Sequence, residues 1–308
     1  MIDTYLQPLP HGIRLSCRAT GDRGRPVLLF LHGFPEAAFV WDALLEHFSQ
    51  PGNGGYRCVA PNLRGYERSS TPAEVKDYRA KHLVQDIAAL IAIESPGAPL
   101  ACLVAHDWGG AVAWNLANQQ PQLAQKLAII NSPHPGSFLR ELRDNQRQQE
   151  ASAYMNFLIR PDAERLLAED GYRRLFAFFG AEAPRSWLTP EVQAQYRAVW
   201  DGPAGSPPGT GLTGGCNYYR ASPLRPPTPD DPGAAAISLP REALTVDIPT
   251  FVLWAMDDIA LPPELIDGLD GWIADLRLER VEGATHWVVH ERPAFVAERL
   301  GAFLLQKQ

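Results

Sequence analysis

Six apolar runs of strand length punctuate the chain: "VLLFLH" from Val27, "YRCVA" from Tyr56, "LACLVA" from Leu100, "KLAIIN" from Lys126, "TFVLWA" from Thr250 and "LRLERV" from Leu276. Most are apolar at every position rather than at alternate ones. That pattern suits strands of a parallel sheet covered on both faces, where each side of a strand needs an apolar surface. Helical periodicity fills intervals near residues 37–48, 81–93, 108–118 and 293–305. Strand–helix alternation of this kind predicts an α/β domain, a mostly parallel sheet flanked by helices and joined by right-handed crossovers.

The alternation stops between residues 134 and 247. "FLRELRDNQRQQEASAYMNFLIRPDAERLLAEDGYRRLFAFF" is helical in period and holds no convincing strand. "DGPAGSPPGTGLTGG" and "RASPLRPPTPDDPGAAA" follow, both dense in proline and glycine, with the amphipathic "CNYYR" between them. A segment with structure on both sides reads as ordered loop rather than free linker. The expected organisation is therefore a core of residues 1–133 and 248–308. Residues 134–247 form a mainly helical lid with Pro/Gly-rich loops, inserted between core strands. No internal repeat is visible.

The bulk properties exclude more than they assign. With 308 residues and a formal net charge of −7, the chain has no basic excess for nucleic acid. Its four cysteines, Cys17, Cys58, Cys102 and Cys216, are scattered and read as reduced thiols. The start "MIDTYLQPLPHG" lacks the charged and apolar regions of a signal peptide, and no apolar run is long enough to span a bilayer. A cytoplasmic enzyme is the expectation. "GNGG" from Gly52 lacks the strand–helix setting of a phosphate loop, and no metal-ligand spacing occurs. Neither a cofactor nor a metal is expected.

"LVAHDWGGAVAWNLA" carries the chemistry. A strand ending at Ala105, a tight turn and a helix make a nucleophile elbow, and the apex residue is Asp107. Small residues at Ala105 and Gly109 permit the close backbone approach that this turn needs. A carboxylate there cannot usefully attack an ester or amide, since it would only form an anhydride. It can displace a leaving group at saturated carbon or open a strained ring, giving an alkyl ester that water must then hydrolyse. That second step needs a base, which should lie late in the chain. His286 in "VEGATHWVVHERP" is the candidate; His290, at the start of the last helix, reads as structural. Asp257 or Asp258, after the strand "TFVLWA", would fix the His tautomer. The strand after the elbow ends "IINSPHPG", with no carboxylate. The loop "LHGFPE" places the Phe34 amide where it can pair with that of Trp108 as an oxyanion hole.

Taken together, "HGFPE", "LRGYERSS", "AHDWGG", "MDDIALPPEL" and "GATHWVVHE" resemble the α/β-hydrolase fold family, and within it the epoxide hydrolases, over nearly the whole chain. The resemblance implies Asp107 as nucleophile, His286 as base and Asp258 as orienting acid. It further implies two lid tyrosines that polarise an epoxide oxygen. "ASAYMNFLIRP" points to Tyr154, and "GCNYYRAS" to Tyr219 rather than Tyr218. Trp108, Phe34, Tyr218 and Trp287 are candidate pocket residues. The implied partners are a small apolar epoxide and water, with no membrane anchor; oligomeric state, a homodimer included, is open. A haloalkane dehalogenase is the alternative enzyme, but Phe34 stands where such enzymes resemble "HGNP". A non-catalytic receptor on the same fold is the alternative of another class. The departures from the family pattern are Asn62 where Asp is usual, Glu67 where Gly is usual, and Ala255 where Gly is common.

Overall fold

The computed structural model describes residues 1–180 and 185–306. Its strands are β1 (Asp3–Pro8), β2 (Arg14–Thr20), β3 (Val27–Leu31), β4 (Arg57–Pro61), β5 (Cys102–His106), β6 (Leu127–Ile130), β7 (Thr250–Ala255) and β8 (Leu276–Val281). They form a single 8-stranded sheet in the order β1-β2-β4-β3-β5-β6-β7-β8. All pairs from β4 to β8 are parallel, and β1 and β2 join one edge antiparallel.

Six strands coincide with the apolar runs. The β1–β2 hairpin is additional to them. β1 leaves alternate residues exposed, and β2 carries Ser16 and Arg18 among its apolar positions. An antiparallel edge keeps one face in water, so it shows no continuous apolar run.

Helices α1 (Asp42–Ser49), α2 (Ala80–Glu94) and α3 (Asp107–Gln119) belong to the first half of the sheet. Between β6 and β7 the chain runs through α4 (Pro135–Asp144), α5 (Gln146–Ala151), α6 (Ala153–Leu158), α7 (Ala163–Phe178), α8 (Pro190–Asp201) and α9 (Thr213–Ala221). It ends in α10 (Val288–Glu291) and α11 (Pro293–Leu304). The period-2 alternation of β3 divides the core into two layers. Leu28 and Phe30 pack in one with Trp41, Phe48 and Phe303; Leu29 and Leu31 pack in the other with Ile87, Val112 and Trp254.

β6 and β7 pair directly, so everything between them is an excursion from the C-terminal ends of the strands. Its aromatic residues Phe179, Tyr196 and Trp200 are continuous with the first core layer. α7 is broken at "EDGY", where Asp170, Gly171 and Tyr172 adopt positive φ. Residues 222–239 form a strap. Within it Arg225 pairs with Asp231, Thr228 and Asp231 exchange backbone hydrogen bonds, and Ala234 N–H donates to the Arg225 carbonyl at 2.9 Å. The strap packs Leu224, Ala234, Ile237 and Leu239 on Leu139 and Leu142 of α4. Among the described residues, no helix is long and apolar enough to cross a membrane.

Candidate active site

Asp107 follows β5 directly and opens α3 with φ at 48°, in the left-handed region that residues other than glycine rarely adopt. Three glycines allow this. A methyl group on Gly33 would lie 2.3 Å from the Asp107 carboxylate, one on Gly109 2.4 Å from the Leu31 carbonyl, and one on Gly110 2.3 Å from Ser132 Cβ. Ser132 Oγ donates to the Asp107 carbonyl at 2.6 Å and pins the turn.

The Phe34 amide donates to Asp107 Oδ1 at 2.7 Å. The Trp108 amide lies in the first turn of α3, where N–H groups have no helical acceptor. Asp107 Oδ2 faces His286 Nε2 at 3.9 Å. On the far side of the ring, His286 Nδ1 meets Asp258 Oδ2 at 2.6 Å. Asp258 Oδ1 accepts the amides of Ala260 and Leu261 at 2.9 and 3.0 Å, and its Oδ2 also accepts from Asn131 Nδ2 at 2.8 Å. Asp257 stays exposed.

The charges follow from these contacts. Burial opposes the Asp258 charge, but His286 and Asn131 hold its carboxyl below the usual range. Burial alone would keep the His286 imidazole neutral. Asp258 first, then Asp107 and Glu36, reverse that and raise its pKa to about 9.

Behind His286 lies a polar knot that includes His290, the histidine read from the sequence as structural. Glu36 is 1% exposed. Its Oε2 is 3.1 Å from His106 Nδ1; its Oε1 is 2.7 Å from His290 Nε2 and accepts from the Tyr196 hydroxyl at 3.1 Å. Despite burial, the two imidazoles hold the Glu36 carboxyl well below the carboxylate range. His106 Nε2 donates to the His286 carbonyl at 2.9 Å. Both His106 nitrogens therefore face oxygens. The knot joins the HGFP loop, the elbow, the His286 loop and α8.

Tyr154 on α6 and Tyr219 on α9 are brought together over Asp107, with ring centroids 6.0 Å apart. Burial first, and with it the Asp107 charge, pushes both phenols far above their ordinary pKa, so each keeps its proton. Arg220 ties the two helices. It grips Glu164 at 2.6 and 2.8 Å and donates to the Arg160 carbonyl, just beyond α6, at 2.6 Å. The Tyr218 hydroxyl instead donates to the Arg64 carbonyl at 3.0 Å. Trp108 and Tyr218 line one cavity beside Asp107, and Phe34 and Trp287 another.

Asn131, Ser132, Glu36 and His106 escaped the sequence reading. Asn131 is the instructive one. It stands at the end of β6, where the sequence offers no carboxylate, and donates to the acid that comes from β7. The departures at Asn62 and Glu67 prove to be neighbours. Asn62 accepts the Ala38 amide at 2.8 Å and donates to Glu67 Oε2 at 3.2 Å, a contact that an Asp could not make.

Comparison with known proteins is consistent with this geometry. Residues 26–293 match the model of the alpha/beta hydrolase fold family. "Epoxide hydrolase 1" of Caenorhabditis elegans is 31% identical, covering 96% of this chain and 69% of that protein. A solved structure from work on novel epoxide hydrolases in metagenomes from hot environments is 36% identical, covers 100% of both chains and has a TM-score of 0.85. A mutant of a Bacillus megaterium epoxide hydrolase, complexed with its product, a naphthyloxy-propane-1,2-diol, is 28% identical. That match covers 98% of this chain and 100% of the other, with a TM-score of 0.83.

Proposed function

The chain belongs to the α/β-hydrolase fold family, among its epoxide hydrolases, and from that premise we propose that it converts an epoxide to a vicinal diol through an alkyl ester on Asp107. Residues 134–247 act as the lid over a core of residues 1–133 and 248–308. The epoxide binds between them, its oxygen held by the hydroxyls of Tyr154 and Tyr219. Asp107 Oδ2 attacks a ring carbon. The carbon–oxygen bond breaks, and the resulting alkoxide takes a phenolic proton.

Oδ1, already engaged by the Phe34 amide, becomes the ester carbonyl oxygen. His286, oriented by Asp258, then removes a proton from water as that water attacks the Asp107 carbonyl carbon. The amides of Phe34 and Trp108 stabilise the oxyanion on Oδ1. The phenolate recovers its proton from the imidazolium that alkylation releases; collapse then expels the diol oxygen, which takes the water-derived proton from His286, and the proton left on the Asp107 carboxyl returns to the imidazole, restoring carboxylate, phenol and imidazolium.

The His286 pKa of about 9 fits this order. A protonated imidazole stabilises the attacking carboxylate in the resting enzyme. Alkylation removes the Asp107 charge 3.9 Å away and frees His286 to give up its proton and serve as base.

The observation that carries the reading is a carboxylate at the elbow, facing His286 on one oxygen and a backbone amide on the other, beneath two protonated phenols. The diol held by the related Bacillus megaterium protein supports it. The test is His286→Gln mixed with an aryl epoxide. Mass should be added to the peptide bearing Asp107 and persist; with no adduct, the covalent route is wrong.

A further inference from the structure

The strap closes the first of the two cavities beside Asp107 with Leu224, Ile237 and Leu239. The second, of about 290 Å³, lies against His286. Phe178 and Arg185 line it from the lid, and Thr285 and Trp287 from the loop that carries His286. The lid grips that loop at Trp287, His290 and Glu291. The Trp287 indole donates to the carbonyl of Phe178, the last residue of α7, at 2.9 Å. Arg185 donates to Glu291 Oε1 at 2.6 Å. Glu291 in turn accepts the Thr285 hydroxyl at 2.7 Å and the Thr285 amide at 2.9 Å. His290 stacks on Trp187 with ring centroids 4.3 Å apart, and its Nε2 lies 3.1 Å from the Tyr196 hydroxyl of α8.

The core alone holds His286 less completely. Asp258 fixes Nδ1, His106 holds the His286 carbonyl and Glu36 holds His290. A single hydrogen bond on Nδ1 lets the ring swing about that contact and carry Nε2 with it. The backbone on both sides of His286 has to be fixed to prevent this. Thr285 precedes it and Trp287 follows it, and both are tied to the lid, Thr285 through Glu291 and Arg185.

The two half-reactions ask different things of His286. Ring opening uses the Asp107 carboxylate and the lid phenols, and draws only on the charge of the imidazolium, which acts through space. Ester hydrolysis needs Nε2 within hydrogen-bond reach of a water that is itself aligned on the Asp107 carbonyl carbon. There a misplacement of about 1 Å costs on the order of a hundredfold.

We propose that the lid positions the base: Arg185, through Glu291 and Thr285, and Tyr196 with Trp187, through His290, hold the His286 loop in register for ester hydrolysis. The lid thus serves both half-reactions, Tyr154 and Tyr219 in ring opening and these positioning residues in hydrolysis. The inference rests on the reading that Asp107 forms an alkyl ester.

Single turnover with excess enzyme separates the steps. Phenyloxirane is mixed with the wild type, Arg185→Met, Arg185→Lys and Tyr196→Phe, and the mass of the acid-quenched protein is followed in time. The adduct rises with alkylation and falls with hydrolysis. Arg185→Met and Tyr196→Phe should each slow the fall by about tenfold or more and change the rise by less than about threefold. Arg185→Lys keeps a cation for Glu291 and should recover most of the loss. A damaged fold lowers both rates or the adduct amplitude together, so the ratio of the two rates carries the test. Equal slowing of both steps, no slowing of either, or a lysine variant no faster than the methionine one overturns the lid's positioning role alone. No adduct in any of the four proteins overturns the ester reading and the positioning role with it.

Discussion

Replacing Asp107 by Asn should lower the pKa of His286 markedly. Asn keeps the shape of the side chain and an oxygen for the Phe34 amide, and removes one negative charge 3.9 Å from His286 Nε2. At that separation the lost attraction is about 1 kcal/mol in a water-like dielectric and about 4 kcal/mol at an effective dielectric near 20. With ~1.4 kcal/mol per pH unit, the shift is about one to three units. The sign is downward, because the lost charge had favoured the imidazolium. From about 9 in the wild type, the imidazole should titrate in the range of about 6 to 8 in the variant. Imidazole resonances of selectively labelled protein, followed by NMR over pH, report this directly. The same charge disappears when Asp107 is alkylated, so the pH profile for hydrolysis of the ester should show its base limb below that of the free enzyme. An imidazole pKa within about half a unit of the wild-type value would refute the reasoning. It would mean that Asp258 alone governs His286.

Three further outcomes follow from particular contacts. The double variant Tyr154→Phe and Tyr219→Phe should slow alkylation of Asp107 in single turnover by about a thousandfold or more, while halide displacement from a haloalkane, if measurable, falls much less. Asn62→Asp should destabilise the fold by about 1 kcal/mol through repulsion of Glu67, and Glu67→Gln should recover most of that loss, as thermal unfolding of the double-mutant cycle would reveal. His286 contributes stability that is complete below its unfolded pKa of 6.5 and is lost as pH rises through about 9; chemical unfolding of His286→Gln should lack that decline.

The central sheet was legible because most of its six parallel strands are apolar nearly throughout, as parallel strands buried on both faces have to be, although β8 at the far edge carries Arg277, Glu279 and Arg280. The β1–β2 hairpin was not, since β1 alternates exposed residues and β2 breaks its apolar run with the buried Ser16 and the half-buried Arg18. Asp107 could be read from a local pattern alone. The two lid tyrosines could not: "AYMNF" and "NYYRA" are ordinary amphipathic helix, and only family resemblance separates Tyr219 from Tyr218. In the structure the difference is physical, because the Tyr218 hydroxyl is engaged with the Arg64 carbonyl. Glu36 and His106 lay inside motifs already under scrutiny, but their partners are 254 and 180 residues away in His290 and His286. Asn131 pairs with Asp258 across 127 residues. No local spacing encodes such contacts; the Asn131–Asp258 pair forms only when β6 and β7 come into register. The strap was legible as ordered but not as a cavity wall, because its placement on α4 depends on packing of Leu224, Ile237 and Leu239.

The central claim is that Asp107 forms a covalent ester whose acyl carbon, not the substrate carbon, is attacked by water. Single turnover of excess enzyme in heavy-oxygen water measures this directly. The diol from the first turnover should carry unlabelled oxygen taken from Asp107, and the peptide containing Asp107 should gain the label. A diol labelled in the first turnover, with an unlabelled Asp107, would contradict the account.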